Sequence, residues 1–429
     1  MNPDVLTDLS RYTGTNPSTI RPVSCPVDPL RRFVGPSVRP PARDTAEVCR
    51  LLEWAYGHRA PVVEGQRRTR RAPSAGAMYP IEVLVVTRRD VSYYDFTHHQ
   101  LHGVPGVDAA QVAGRLGLES GQHGVVLAGV VWRTVQRYGT RGYRYCLLDA
   151  AHIAANLAAA ATATGYQVAP VFCQGDPGLD DLLGLRHGEL SLLALTVMPD
   201  AQVSSVPDPL HRAPMARWPA QTSEQPPILS PALQRVVWLH RRSASSTLDT
   251  ARPWLPDVPP RDVLFELMNR RQSARDFTGG DVPSADLAAL ATTGTDAMHT
   301  GFTVDTPSLK MAVLDSDLAS VAEACQGQGI VARSAAAFVI TADAAEISAY
   351  GYAGYGRAVV NAGLVTAALY RAATGRGVGT TTIGGFTDAE VARCVGDQAA
   401  HPIVIQVIGE ADHTARKADA ALTSSYRTS

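Results

Sequence analysis

The chain has 429 residues, 45% apolar and 18% charged, which places it among globular proteins long enough for two or three cores. A formal charge of −1 and a pI near 6.9 give no electrostatic reason to expect nucleic acid or an anionic membrane as partner. Six cysteines (Cys25, Cys49, Cys146, Cys173, Cys325, Cys394) lack a CxxC or metal-ligand spacing; they read as reduced core residues, and no metal is expected. The opening MNPDVLTDLSRYTG has no secretory apolar stretch, and Asp149, His152 and Asn156 interrupt the Ala-rich run near 146–164, so a soluble, cytoplasmic protein is expected.

In chain order, an acidic-start helix is predicted over 44–57. Next comes RRAPSAGAMYPIEVLVV, in which the turn Pro73, Ser74, Ala75, Gly76 runs into a strand buried by Ile81, Val83, Val85 and Val86. Such small residues let a flat ligand lie against the backbone. VVWRTVQRYGTRGYRYCLLDAAH (130–152) leads into a long small-residue helix over 145–164, followed by a Gly turn, a short helix and a final strand, Leu192–Val197. Residues 199–260 are rich in Pro and Ser and read as a linker with one short helix at ALQRVVWLHRR. Beyond it stand NRRQSARDF (269–277), a helix at 284–294, TPSLKMAV (306–313), the Tyr/Gly run SAYGYAGYGR (348–357), a second long helix over 357–375, GVGTTTIGGFTDAEVARCVG (377–396), and a last strand, Ile403–Ile408. The Tyr/Gly run reads as a mobile lip over a crevice or as a plain surface loop.

The second half restates the first. Arg31-Arg32 and the helix after them recur at Arg270-Arg271, 239 residues on, while Asp149, Gly165, Asp176 and Gly184 match Asn361, Gly377, Asp388 and Gly396 at an offset of 212. Strands mixed with helices on this plan predict an α+β sandwich in each half. The expected division is an N-terminal extension (1–27), a first domain (28–198), the Pro-rich linker (199–260), a second domain (261–412) and a C-terminal tail (413–429).

The Pro-Ser-Ala-Gly turn resembles the flavin-binding turn of nitroreductase-fold proteins, especially the branch containing azoline (thiazoline/oxazoline) dehydrogenases of peptide natural-product pathways. That family pairs two protomers through long central helices, with a flavin in each crevice. The resemblance, over about 28–198 and 261–410, implies tandem nitroreductase-like domains forming an intrachain pseudo-dimer. AANLAAAATATG is then an interface helix whose small side chains permit close approach, although a merely buried helix makes the same packing demand.

FMN is the implied cofactor. Arg270, Ser273 and Arg275, with Arg271, match the Arg-Arg-x-Ser-x-Arg pattern that in the family grips phosphate and ribityl chain. Ile383, Gly384 and Gly385 resemble its Gly-Gly-Phe turn, and Arg416 and Lys417 stand where relatives often place a phosphate-binding cation. In the first half, Val34 and Pro36 replace Ser273 and Arg275, and Phe172 and Cys173 replace the two glycines; the second half has no PSAG turn. The surviving elements assemble one site, so one FMN per chain is expected.

RYGTRGYRY is similar to the Trp-Lys-Tyr-Gly-x-Arg-Gly-Tyr-Arg-Tyr segment of azoline dehydrogenases, whose Lys-Tyr pair handles the proton. Here the lysine position is Arg137. Arginine does not deprotonate in proteins, but it favours ionisation of an adjacent phenol, so Tyr138 is the candidate base and the alternative is a tyrosine packing over the interface helix. His152 either lines the pocket or is a satisfied core histidine. The leading expectation is an FMN-dependent dehydrogenase acting on a peptide or carrier-bound azoline, alongside partner biosynthetic enzymes and returning electrons to oxygen. The alternatives are an NAD(P)H-driven nitro or flavin reductase and a flavin-less peptide-binding scaffold.

Overall fold

A computed structural model describes residues 38–42, 45–59, 70–96, 98–186, 188–200, 203–209, 230–244, 249–250, 257–300 and 306–413. Expectations for the N-terminal extension, for Arg31, Arg32, Val34 and Pro36, and for Arg416 and Lys417 lie outside them. The elements run β1 (Val38–Arg39), α1 (Ala46–Tyr56), β2 (Ile81–Val86), β3 (Val91–Asp95), β4 (Gln100–Gly103), α2 (Ala109–Arg115), β5 (His123–Val130), α3 (Trp132–Tyr138), α4 (Gly142–Thr162), β6 (Tyr166–Phe172), α5 (Pro177–Leu182), β7 (Glu189–Pro199), α6 (Pro231–Arg242) and β8 (Asp249–Thr250). Then follow α7 (Arg261–Arg270), α8 (Ser284–His299), β9 (Leu309–Leu314), α9 (Leu318–Ala324), α10 (Gly329–Ala332), β10 (Ala336–Asp343), α11 (Ala344–Arg376), β11 (Gly379–Ile383), α12 (Asp388–Val395) and β12 (Ala400–Gly409).

The strands form an eight-stranded sheet, β1-β4-β3-β2-β5-β7-β6-β8, and a four-stranded sheet, β11-β12-β10-β9. Within the first, β2-β5-β7-β6 is antiparallel throughout, with α4 between β5 and β6 in the chain; β9-β10-β12-β11 has the same order and directions, with α11 between β10 and β11. Gly165 and Gly377, and likewise Gly184 and Gly396, paired by the 212 offset, all have φ between 66° and 80°, the left-handed region that favours glycine. Strand alternation sets the layers. Val125 and Leu127 of β5, with Phe338 and Ile340 of β10, enter one core cluster shared by both halves, while Val126 and Ala128, and Ala337 and Val339, enter separate outer clusters.

The α4 helix is apolar nearly all round and buried from Gly142 to Ala161, as befits a central helix. Beyond Arg144 near its start, its polar residues Asp149, His152 and Asn156 follow helical spacing and each has a partner: Ser74, Thr366 and the Ala55 carbonyl. The α4 and α11 helices pack closely, since a Cβ on Gly363 would lie 2.4 Å from the Ala151 methyl. Small residues permit this approach, as expected of the Ala-rich stretch. The Tyr/Gly run 348–357 departs from expectation: it is neither lip nor loop but part of α11, broken only at Gly351 (φ 69°, ψ −156°). Burial of Ile347, Tyr352 and Tyr355 anchors it as a helix despite its glycines. The predicted linker helix is α6, started by Ser230, whose hydroxyl accepts from the Leu233 N–H, and by Pro231 at the first turn. Cys49, Cys146, Cys173 and Cys325 are free and buried, and Cys394 is free and half-buried.

Candidate active site

The Pro73–Gly76 turn leads into a short 3-10 segment, Ala75–Ala77, whose Gly76 has φ 60°. It is fixed from α4: Asp149 accepts from the Ser74 hydroxyl (2.5 Å) and the Ala75 N–H (3.3 Å), while Ser74 Oγ accepts from the Tyr79 N–H (2.9 Å). Burial pushes the Asp149 carboxyl up to about 7, against the opposing pull of those two hydrogen bonds. In the second half the matching pair is Asn361, whose amide donates to Thr306 Oγ1 (3.4 Å) at the start of TPSLKMAV.

Gly76 faces Tyr138. A Cβ there would lie 2.3 Å from the phenol oxygen. The Tyr138 ring meets Tyr145 edge-on, centroids 5.0 Å apart, and Tyr145 in turn meets Gly384, where a Cβ would lie 2.3 Å from Cε1. Two bare-backbone walls, one from each half, therefore enclose a pair of aromatic rings. The exposed Arg137 guanidinium stands 5.4 Å from the Tyr138 ring centre.

The Gly384-Gly385 turn is held by both halves. Arg141 Nε donates to the Gly384 carbonyl (2.7 Å), and Gln328 Nε2 donates to the Gly385 carbonyl (2.8 Å). Arg141 also pairs with Asp388 (2.9 Å) and lies over the Phe386 ring; the fully buried Arg144 pairs with Asp388 (3.3 Å) and donates to the Tyr355 hydroxyl (2.7 Å). Burial alone would raise Asp388, but Arg144 and Arg141 outweigh it and hold the carboxyl at about 2.

At the other end Ser273 Oγ shares a hydrogen bond with the Tyr370 hydroxyl (2.9 Å), which accepts from the Thr382 N–H (3.1 Å). Arg271 is buried and donates to the Arg71 and Arg70 carbonyls (2.7 and 3.1 Å), with Ser273 Oγ at 3.4 Å.

The Gly76 turn meets Arg137 and Tyr138 and, through Tyr145, the Gly384 turn, while Arg271 and Tyr370, which line a small cavity with Pro73, both contact Ser273. Other expected residues are placed differently. Arg270 faces solvent and pairs with Glu266 on its own helix, because it falls on the outer side of the last turn of α7. Arg275 is exposed and makes no hydrogen bond or ion pair among the described residues. The Ile383 side chain is buried in the outer core cluster of the second half, so only its backbone adjoins the turn. His152 is buried, with Nε2 bonded to Thr366 Oγ1, and lines a small cavity with Arg271 and Tyr370. Sequence reasoning missed Tyr145, Arg141, Arg144 and Tyr370 as site residues. The first three lie inside RYGTRGYRY, so that segment was the available signal.

Residues 41–197 match the family model described as Nitroreductase family. A provisionally assigned nitroreductase from Methanocaldococcus jannaschii is 28% identical over 158 residues, 34% of this chain and 77% of that protein. A crystal structure of a provisionally assigned nitroreductase from Anabaena variabilis superposes with TM-score 0.74 at 20% identity, covering 95% of this chain and 99% of that one. An FMN-dependent nitroreductase from Clostridium difficile overlaps 36% of this chain and 92% of its own at 16% identity, TM-score 0.28. The chain has the nitroreductase α+β fold along nearly its whole length, and its residues 41–197 match the nitroreductase-family model.

Proposed function

We propose that the chain is an FMN-dependent dehydrogenase of the azoline-oxidising kind, with one flavin crevice where two nitroreductase-like halves of a single chain meet. The observation that carries this reading is the convergence of the Gly76 turn from one half and the Gly384 turn from the other on the Tyr138–Tyr145 pair. Walls without Cβ atoms suit a flat ring system, and hydroxyls at Ser273, Tyr370 and Thr382 together with the exposed Arg275 suit a polar, phosphorylated tail. The matching order of β2-β5-β7-β6 in the larger sheet and β9-β10-β12-β11 in the smaller, and the parallel pairs Asp149–Ser74 and Asn361–Thr306, support the tandem reading.

Oxidising an azoline to an azole removes a hydride from one ring carbon and a proton from its neighbour, with aromaticity as driving force. Bound FMN supplies the hydride acceptor. Tyr138, in its phenolate form, would receive the proton and end as the neutral phenol: its oxygen lies against the Gly76 turn, and Arg137, which stays protonated, holds positive potential beside it. The Arg141 and Asp149 contacts fix the two walls, so that Tyr138 meets a preset geometry. A peptide or carrier-bound substrate, presented with partner enzymes, and molecular oxygen as final acceptor complete the proposal.

The absorbance of the purified protein, mass analysis of the released chromophore and loss of two hydrogens from a thiazoline peptide test it together. A protein that is colourless and takes up no FMN overturns the flavin reading and leaves a binding scaffold. Bleaching by NADPH without peptide, and no azoline turnover, would favour nitro reduction, the activity in the names of the Methanocaldococcus and Anabaena proteins.

A further inference from the structure

The α6 helix comes from the stretch that the sequence reads as linker, yet its inner face is built firmly onto the body. His240 is fully buried: its Nε2 accepts from the Gly175 N–H (3.0 Å), which leaves Nδ1 to donate to the Tyr143 hydroxyl (2.9 Å). Ser243 Oγ donates to the Tyr352 carbonyl (3.4 Å), and a Cβ on Gly188 would lie 2.9 Å from Leu233 Cδ1. These contacts seat α6 against α3 and against the Gly139–Arg141 turn, the residues directly after Tyr138. The outer face has a different character. Trp238 is half-buried there, edge-on to Tyr352 with centroids 5.8 Å apart, and Arg242 lies over the indole at 4.9 Å. Gln234, Arg235, Arg241 and Arg242 stand three or four positions from Trp238, which on a helix places them around it. Gln234, Val237, Trp238, Arg241 and Arg242 line an open groove of about 390 Å³.

No acidic residue stands on α6, and Arg235, Arg241 and Arg242 are exposed and make no hydrogen bond or ion pair among the described residues. A chain of formal charge −1 thus gathers three uncompensated cations around one aromatic ring. Tryptophan and arginine are the side chains that most often carry binding energy between proteins. We propose that this groove docks an acidic peptide segment, its carboxylates on the three arginines and one apolar side chain against Trp238. Resting on the peptide-substrate reading above, the segment is a part of the substrate remote from the ring being oxidised, and its binding holds the substrate beside the Tyr138 segment. Three cations on a helix of 12 residues make a short patch rather than a track for a nucleic-acid backbone, and the indole between them suits a side chain.

The test uses the full chain and a fluorescein-labelled peptide in which Asp and Glu alternate with Leu, beside a neutral peptide with Asn and Gln in their place, read by fluorescence anisotropy. The acidic peptide is expected to bind saturably and to weaken as sodium chloride is added. The double variant Arg241→Glu/Arg242→Glu is expected to bind it about tenfold or more weakly, with Tm and flavin content unchanged because both side chains are exposed. Trp238→Ala is expected to weaken it as well, which attraction between charges alone would not produce. On thiazoline peptides an acidic extension is expected to lower KM and leave kcat, and the double variant to erase that gain. Equal binding of the neutral peptide, undiminished binding by the double variant, or a thymidine oligonucleotide bound as tightly through the same arginines would each overturn the docking site. Binding at α6 with no azoline turnover upholds the docking site and overturns the dehydrogenase reading; turnover indifferent to the extension, with no binding, does the reverse.

Discussion

Asp388 is the sharpest place to perturb the union of the two halves. It stands at the start of α12 in the second half and pairs with Arg141 and Arg144 of the first, which are 1 and 0% exposed at the side chain. Lowering a carboxyl from 3.8 to about 2 corresponds to about 2 kcal/mol of stabilisation at neutral pH. The shift is downward, so this contribution is present above pH 3.8 and disappears as pH falls from 3.8 through about 2. Removing the carboxylate costs more than that, because two buried guanidiniums lose their counter-charge; about 3–5 kcal/mol is expected for Asp388→Ala. Urea unfolding of both proteins at pH 7 measures the loss directly. Arg141 also fixes the Gly384 carbonyl, so flavin content is expected to fall with stability. A loss below about 1 kcal/mol, the value of an exposed pair, would show that the network is solvated and that the halves are held elsewhere.

Three further outcomes follow from the site. One FMN is expected per chain, and Gly76→Val is expected to deplete it, since the new side chain would meet the Tyr138 hydroxyl; a ratio near two, or loss of only half, would refute the single crevice. Tyr138→Phe is expected to retain flavin yet lose about 10²-fold in azoline turnover, and unchanged turnover would leave the tyrosine a packing role. Asp149 has its carboxyl raised from 3.8 to about 7, so the folded protein holds a proton there that the unfolded chain releases, and stability falls as pH rises across that window. Asp149→Asn keeps an acceptor for Ser74 and is expected to flatten Tm between pH 3.8 and about 7; an unaltered slope would place the titration elsewhere.

What the sequence could disclose was local. The PSAG turn, the Gly-Gly turn, the two long small-residue helices and the closing strands are each written in a few adjacent residues, and the structure has them at or near the expected positions. Side-chain direction was less legible. Arg270 and Arg271 are neighbours in NRRQSARDF, yet one ends the outer face of α7 while the other leaves it with φ −50° and ψ 121° and turns inward to the Arg70 and Arg71 carbonyls. Helix phase at a terminus decides this, and terminal boundaries are poorly fixed by local pattern. Likewise the role of Arg141 and Arg144 depends on Asp388, more than two hundred residues away, which no local spacing reports. The Tyr/Gly run became a helix because tertiary burial of Ile347, Tyr352 and Tyr355 outweighed weak intrinsic propensity.

Asp176 and Asp388 occupy equivalent places, each at the start of the short helix that follows β6 or β11. Asp176 caps α5 and takes Arg115 from its own half in a bidentate pair, whereas Asp388 reaches across to the other half. In a two-fold assembly of identical subunits, any substitution falls on both copies at once, so one position cannot do two different jobs. On the tandem reading proposed above, a covalently joined pair is released from that restriction. One member of each matched couple can specialise in docking while its counterpart serves local folding, and a crevice on one side can keep its ligand contacts while the opposite side drifts toward plain packing.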